Sequence, residues 1–373
     1  MKKTGSFCVK GKVDRGLIIA VVLLCIAGLF AVYSATRTSG SNSAITVQAV
    51  AAVFGFCLMI VAAYMDYGIY KRFAWFIFAG YIIMLLIVLI AGITGVWGSK
   101  SWIKIFGISI QPSEFAKLGF IITLSAHMSK AESGINRLPV LGGLILHLAL
   151  PLGLILLQPD LGTGAVFAVI FAGVLFVGGL SPKIYIPVIG FGGASLPVIY
   201  RVLSDYQKKR ITVFLNPEAD PTGGGYNVIQ SKTALGSGGL LGNGYLRGIS
   251  TQNGYLPAKH TDFIFSSFSE EFGFFGALAV ILLLMFIIIR IIIIAQRSDT
   301  LFGRYVCAGI GAMLFFHTFE NIGMCMGLMP VTGIPLPFVS YGGSSMVTNF
   351  ICIGVVLSIA RSRNIFESEN RKE

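Results

Sequence analysis

Charge is what this sequence has least of. Only 12% of its 373 residues are Asp, Glu, Lys or Arg, about half the share found in soluble domains, which excludes a chain whose surface faces water throughout. Acids are scarcer still, 16 against 28 Lys and Arg. Paired cysteines are missing from the long polar segment 201–263. The six present (Cys8, Cys25, Cys57, Cys307, Cys325, Cys352) fall in apolar runs, Cys8 excepted, which excludes an exported disulfide framework and leaves packing residues or idle thiols. No His/Cys grouping has zinc spacing, and neither GxSxG nor a Ser/His/Asp order occurs. GxGxxG is absent from the glycine-rich segment, which removes a dinucleotide site. No convincing internal repeat is found, which counts against a transporter built on inverted repeats.

Long apolar runs fill the space. Hydrophobic residues make up 55% of the chain and the mean hydropathy is +0.82. A helix crossing about 30 Å of hydrocarbon needs roughly 20 such residues. On that basis spans are expected near 16–35, 46–64, 73–94, 113–128, 139–157, 164–180, 184–200, 264–289, 305–328 and 343–360. The first follows a basic amino-terminal stretch but is too long for a signal-peptide core, so it reads as a span that stays. The expected fold is therefore an all-α integral membrane bundle of about ten helices. Residues 1–373 form one polytopic domain, and 201–263 is a large outward-facing loop between spans seven and eight.

Lys and Arg set the orientation. With the amino terminus inside, 17 of them lie in inner segments and four (Arg37, Lys100, Lys104, Lys117) in short outer ones, the other seven falling in 201–263. Both termini are thus expected in the cytoplasm. The net charge of +12 then reflects topology and contact with anionic membrane lipid; no basic soluble domain exists to bind nucleic acid. The acids divide differently. Seven are cytoplasmic in this frame, and Glu114, Asp160, Asp205, Glu218, Asp220 and Asp262 lie at the outer surface. Glu270, Glu271 and Glu320 lie inside spans, all in outer halves. Intramembrane acids are costly and usually face a cavity or a partner, so any chemistry is expected outside.

Four stretches carry candidate residues, each with a bland alternative. In YLPAKHTDFIF, Asp262 is either the N-cap of a span or an acid at the lipid–water boundary that serves as a general base; His260 is the weaker candidate. In IQPSEFAK, Glu114 and Lys117 make an i,i+3 pair, either structural or with Lys117 contacting an anionic substrate group. In LLQPDLGTG, Pro159 and the glycines break a helix at Asp160, which either caps the next span or lines a wet cavity. In the glycine-rich segment, Arg210 and the backbone amides suit a pyrophosphate, whereas Lys208 and Lys209 read as a solvated basic turn. Between the last two spans, GLMPVTGIPLPFVSYGGSS reads as an irregular outer loop, and His317, Glu320 and Asn321 before it as interhelical hydrogen-bonding residues.

Those stretches, with QPDLGT, EEFGFFG and YQKKRITVFLNPEADPTGGGYNVIQSKTALGSGG, occur in order over about two-thirds of the chain and resemble the SEDS proteins (RodA, FtsW, SpoVE), bacterial peptidoglycan glycosyltransferases. GYNVIQSK followed by GSGGLLGNGYLRG is closer to RodA. The resemblance implies a SEDS-type bundle in the bacterial plasma membrane that polymerises lipid II, an undecaprenyl-pyrophosphate disaccharide-pentapeptide, through β-1,4 bonds. It implies Asp262 as the catalytic residue, a class B penicillin-binding protein as partner, and a divalent cation, Mg or Mn, as an aid to the pyrophosphate. Two departures stand out. Ser101 occupies a position where the family often has Arg, and Ala258 replaces a usual Glu, which therefore cannot be essential if this chain is active. The rival readings are a flippase for the same lipid and a non-catalytic scaffold. A flippase needs a polar route through both leaflets, and the inner halves of the spans lack acids.

Overall fold

A backbone in lipid has no water to bond, so each span must satisfy its own N–H and C=O groups, and the helix is the one local structure that does so. The computed structural model describes residues 13–37, 43–94, 100–105, 108–131, 134–187 and 205–370, with isolated residues 190 and 201. It opens with α1 (Arg15–Thr36), α2 (Ser43–Tyr64), a short α3 (Gly68–Arg72) and α4 (Ala74–Ala91). An antiparallel ribbon of β1 (Ile93–Thr94), β2 (Lys100–Ile105) and β3 (Ile108–Ile110) follows, with Ile93 opposite Trp102 and Lys104 opposite Ser109. Then come α5 (Pro112–Ala131), α6 (Leu138–Leu157) and α7 (Leu161–Val177). Next are α8 (Asp205–Leu215), α9 (Gly224–Ser237) and α10 (Ile249–Gln252), and last α11 (Ile264–Gln296), α12 (Leu301–Cys325) and α13 (Gly343–Asn370). Residues 182–187 are also helical.

Helices stand at nine of the ten expected spans; the tenth, 184–200, lies mostly outside the described residues. Seven of the described helices are long and apolar enough to cross a membrane: α1, α2, α4, α6, α11, α12 and α13. The chain is a multi-pass membrane protein. α5 carries Glu114, Lys117 and Lys130, and α7 has 17 residues. The segment 201–263 is not one irregular loop: it contains α8, α9 and α10.

Lipid tails are as apolar as leucine, so helices in a bilayer associate through close packing at small residues. The seam between α2 and α13 follows this rule. A Cβ at Gly354 would stand 2.5 Å from the Met59 carbonyl, and one at Gly55 would stand 2.7 Å from the Phe350 ring. Of the most apolar stretch of α13, 83% is buried, against 17% for α4 and for α6. The last span is thus central and those two are peripheral. α12 packs against α11, α7 and α5, and α1 against α11. Cys25, Cys307, Cys325 and Cys352 are buried and free, and Cys57 is exposed; Cys8 lies outside the described residues.

α11 is expected as one continuous span and is not. At Gly273 its backbone turns to φ 67, ψ −167, and residues 239–244 enter the break. Phe274 N–H donates to the Gly239 carbonyl at 2.9 Å, while the Asn243 and Gly244 amides donate to the carbonyls of Glu270 at 3.0 Å and Glu271 at 3.1 Å. A Cβ at Gly273 would lie 2.3 Å from the Gly242 nitrogen. Only glycine combines that φ with that approach.

Candidate active site

Asp262 stands immediately before α11 and is 6% exposed. It does not cap the helix: Phe263 is the N-cap residue and no side-chain capping bond is made. The approach turns sharply at Ala258, whose φ is 48, and whose carbonyl accepts the amides of Thr261 at 3.1 Å and Phe263 at 3.2 Å. The irregular loop 327–342 then grips the backbone on either side of the carboxylate. Ser340 Oγ donates to the Thr261 carbonyl at 2.8 Å, and Tyr341 N–H to the His260 carbonyl at 2.9 Å. Asn321 of α12 donates from Nδ2 to the carbonyls of Asp262 at 2.9 Å and Ile334 at 2.8 Å. The backbone that carries the carboxylate is held by the loop and by α12 at once.

A second buried carboxylate lies within electrostatic reach of this one. Glu320 on α12 is 2% exposed, accepts the Thr332 hydroxyl, and lies within electrostatic reach of both Asp262 and Arg210. Its Oε2 is buried with no hydrogen-bond partner among the described residues. Beside Thr332, Gly333 has φ 80, and a Cβ there would sit 3.9 Å from Asp262 Oδ2. From sequence alone Glu320 reads as interhelical glue; the signal for more is that it is an acid inside a span.

The other candidates surround this pair at differing depth. Arg210 on α8 lies within electrostatic reach of Glu320, whereas Lys209 is exposed and pairs with Asp220 at 3.2 Å, on a helix rather than the solvated basic turn expected. Asp160 is the N-cap of α7, accepting from Thr163 N–H at 3.0 Å and Thr163 Oγ1 at 2.9 Å, so the capping alternative describes its contacts. The same turn touches the site loop, since a Cβ at Gly162 would be 2.9 Å from the Thr332 carbonyl. Lys117 is 2% exposed. Its Nζ lies 2.8 Å from Glu114 Oε1 and 3.2 Å from His317 Nε2, a buried ion pair one helical turn beneath Glu320.

Glu270 and Glu271 are not among the sequence candidates, although both are buried. Glu270 accepts the amides of Ser250 at 2.7 Å and Thr251 at 2.9 Å and the Thr251 hydroxyl at 2.7 Å. Glu271 accepts from Ser34 Oγ of α1 and, at 3.0 Å, from Gln252 Nε2. Together they tie the segment leading to Asp262 onto α11 and α1. Lys259 donates to the Thr251 carbonyl. Burial lowers its pKa, opposed by the charges of Glu270 and Glu271. Burial, and then the Lys259 charge, hold His260 below its ordinary value, so its imidazole is neutral at neutral pH. Ser101 is buried in β2. Among the described residues no group of three or more His, Cys, Asp or Glu is gathered at one place.

A buried, backbone-clamped carboxylate beside a second acid and an arginine can take a proton and meet an anion. The chain matches the family described as "Cell cycle protein", that of FtsW, RodA and SpoVE, over residues 15–365. It is 34% identical to the peptidoglycan glycosyltransferase MrdB of Escherichia coli K12, over 98% of this chain and 97% of that one. It is 36% identical to a probable peptidoglycan glycosyltransferase FtsW of Trichlorobacter lovleyi, over 93% of each. A chain from a solved peptidoglycan synthase complex, one concerned with coordinating polymerization and crosslinking, matches with a TM-score of 0.82 at 28% identity, over 94% of this chain and 98% of that one.

Proposed function

We propose that Asp262 is the general base of this chain, which belongs to the FtsW, RodA and SpoVE family and is a peptidoglycan glycosyltransferase. The substrate is lipid II. Asp262 takes the proton from the 4-hydroxyl of the acceptor sugar as that oxygen attacks the anomeric carbon of the donor. The bond from that carbon to the pyrophosphate breaks, and the leaving group carries away the electron pair. An α-linked donor thereby becomes a β-1,4 linkage. A single-displacement inversion needs one base, and a pyrophosphate leaves as an anion provided cations stabilise it.

The observation that carries this reading is the buried carboxylate of Asp262 on a backbone clamped by Asn321, Ser340 and Tyr341, with Glu320 buried nearby and Arg210 within electrostatic reach of it. Arg210 is the cation for the pyrophosphate. Lys117, paired with Glu114 and touching His317, braces α5 against α12 beneath the site. Asp160 holds the turn that backs Thr332. A divalent cation also fits the pair, because Mg²⁺ sits on one or two carboxylates plus substrate phosphates; when bound it would neutralise charge on the departing pyrophosphate.

The 17-to-four distribution of Lys and Arg supports a plasma-membrane topology with both termini cytoplasmic and segment 201–263 with Asp262 outside, where strands are built. The partner is a class B penicillin-binding protein that cross-links them. The role is cell-wall elongation and shape, RodA-like; division or sporulation is the alternative. The deciding assay supplies labelled lipid II to purified wild type and Asp262→Ala in the presence of the partner. Glycan strands from wild type alone support the reading. Equal polymer from both removes Asp262 as the base, and no polymer from either favours the flippase or the scaffold.

A further inference from the structure

We propose that the end of the bundle opposite Asp262 holds a binding site for a doubly anionic phospholipid headgroup. At the start of α1 and the last turns of α11 lies a cavity of about 730 Å³ lined by Asp14, Arg15, Arg290, Arg297 and Ser298, with an apolar wall that includes Ile293. Beyond the Gly273 break α11 runs from Phe274 to Gln296, about 35 Å at 1.5 Å rise per residue, enough to cross the hydrocarbon core, so the cavity opens in the other headgroup layer.

Its charge is unbalanced. Arg290 Nε donates to Asp14 Oδ2 at 3.2 Å and Nη2 makes a second bond to the same atom. This pair neutralises one cation. Arg15 and Arg297 have no ion pair among the described residues, which leaves two guanidinium groups over one space. Guanidinium groups bind phosphate oxygens in a bidentate fork, and basic pockets between spans hold cardiolipin-type headgroups. The adjoining isoleucines suit the first methylenes of acyl chains. Asp14 has two roles at once, since Oδ1 also accepts the Leu17 amide at 3.1 Å as the N-cap of α1. Asparagine caps equally well, so the counter-charge can be removed without losing the cap.

The test uses the full-length protein in detergent, delipidated and then titrated with cardiolipin or phosphatidylethanolamine, with bound lipid read by native mass spectrometry. Wild type is expected to retain one cardiolipin and no phosphatidylethanolamine. Arg15→Gln with Arg297→Gln is expected to weaken cardiolipin binding roughly tenfold or more. Asp14→Asn, which frees Arg290, is expected to tighten it several-fold. Polymerisation of lipid II in neutral lipid should be unchanged in both variants. Equal retention by wild type and the double variant overturns the site, as does weaker binding by Asp14→Asn, which decides the matter even if the double variant does not fold. Preferential displacement by undecaprenyl pyrophosphate would assign the cavity to the carrier lipid instead, and complete competition by inorganic pyrophosphate would reduce it to a small-anion site.

Discussion

The two ends of α11 face opposite problems with charge and solve them in opposite ways. At its start, Asp262, Glu270 and Glu271 are all nearly inaccessible, and the two glutamates sit in cages of amides and hydroxyls from α1, α9 and α10. At its finish, Arg290 and Arg297 sit at an open cavity with one carboxylate between them and Arg15. Burial with partners fixes a group within tenths of an ångström, which a reaction needs; open cations retain their affinity for whatever anion arrives. The first end is therefore built for geometry and the second for capture.

That contrast makes graded predictions. Asp262→Ala should lower the polymerisation rate roughly a thousandfold, the usual worth of a positioned general base; a comparable loss from Arg297→Gln would erase the distinction between the ends. Gly273→Ala, midway, should cost about 3 kcal/mol, because the new methyl meets the Gly242 nitrogen at a backbone angle alanine resists. A lowered thermal midpoint would show this, with activity falling alongside. Asp160→Ala should cost about 1 kcal/mol as a lost cap, and Asp160→Asn almost nothing. If the Asp160→Asn variant instead stops polymerisation while its thermal midpoint holds, Asp160 belongs to the chemistry rather than to its scaffold.

The smallest effect concerns pH. His260 is held below its ordinary value in the folded protein, so the unfolded chain takes up the proton first. Stability is therefore unaffected above the ordinary value, begins to decline as pH falls through about 6.5, and declines until the depressed value is reached. His260→Asn should flatten that acid limb in a thermal-shift series; an unchanged limb would exclude His260 as its source.

Much of the fold is legible in the sequence because hydropathy and length report directly on lipid. Asp160 beside two glycines carries a capping alternative on sequence grounds, and its contacts match that alternative. The burial of the intramembrane acids is anticipated too, since a charge inside a span is rare enough to be counted one by one and usually faces protein. The break in α11 is not. EEFGFFG reads as uninterrupted helix, and a left-handed glycine is defined by a partner about thirty residues upstream, which no local pattern encodes. For the same reason α8, α9 and α10 read as loop, as glycine content hides helices stabilised by packing onto a bundle. Glu270 and Glu271 escape notice as site residues because their partners, Ser34, Ser237, Thr251 and Gln252, are scattered in sequence and meet only in the folded chain. Lys117 reads as half of an i,i+3 pair, whereas its third neighbour, His317, comes from a helix two hundred residues away.

The insertion of residues 239–244 into the Gly273 break also constrains how this protein is made and how it fluctuates. Until that strip docks, α11 is two rods on a swivel with bare carbonyls at the joint, so the span is completed by a segment synthesised before it. The amide of Phe274 then becomes a reporter. Its exchange with solvent should track undocking of the strip, and any molecule that pries the strip loose would slacken the peptide on which Asp262 is mounted.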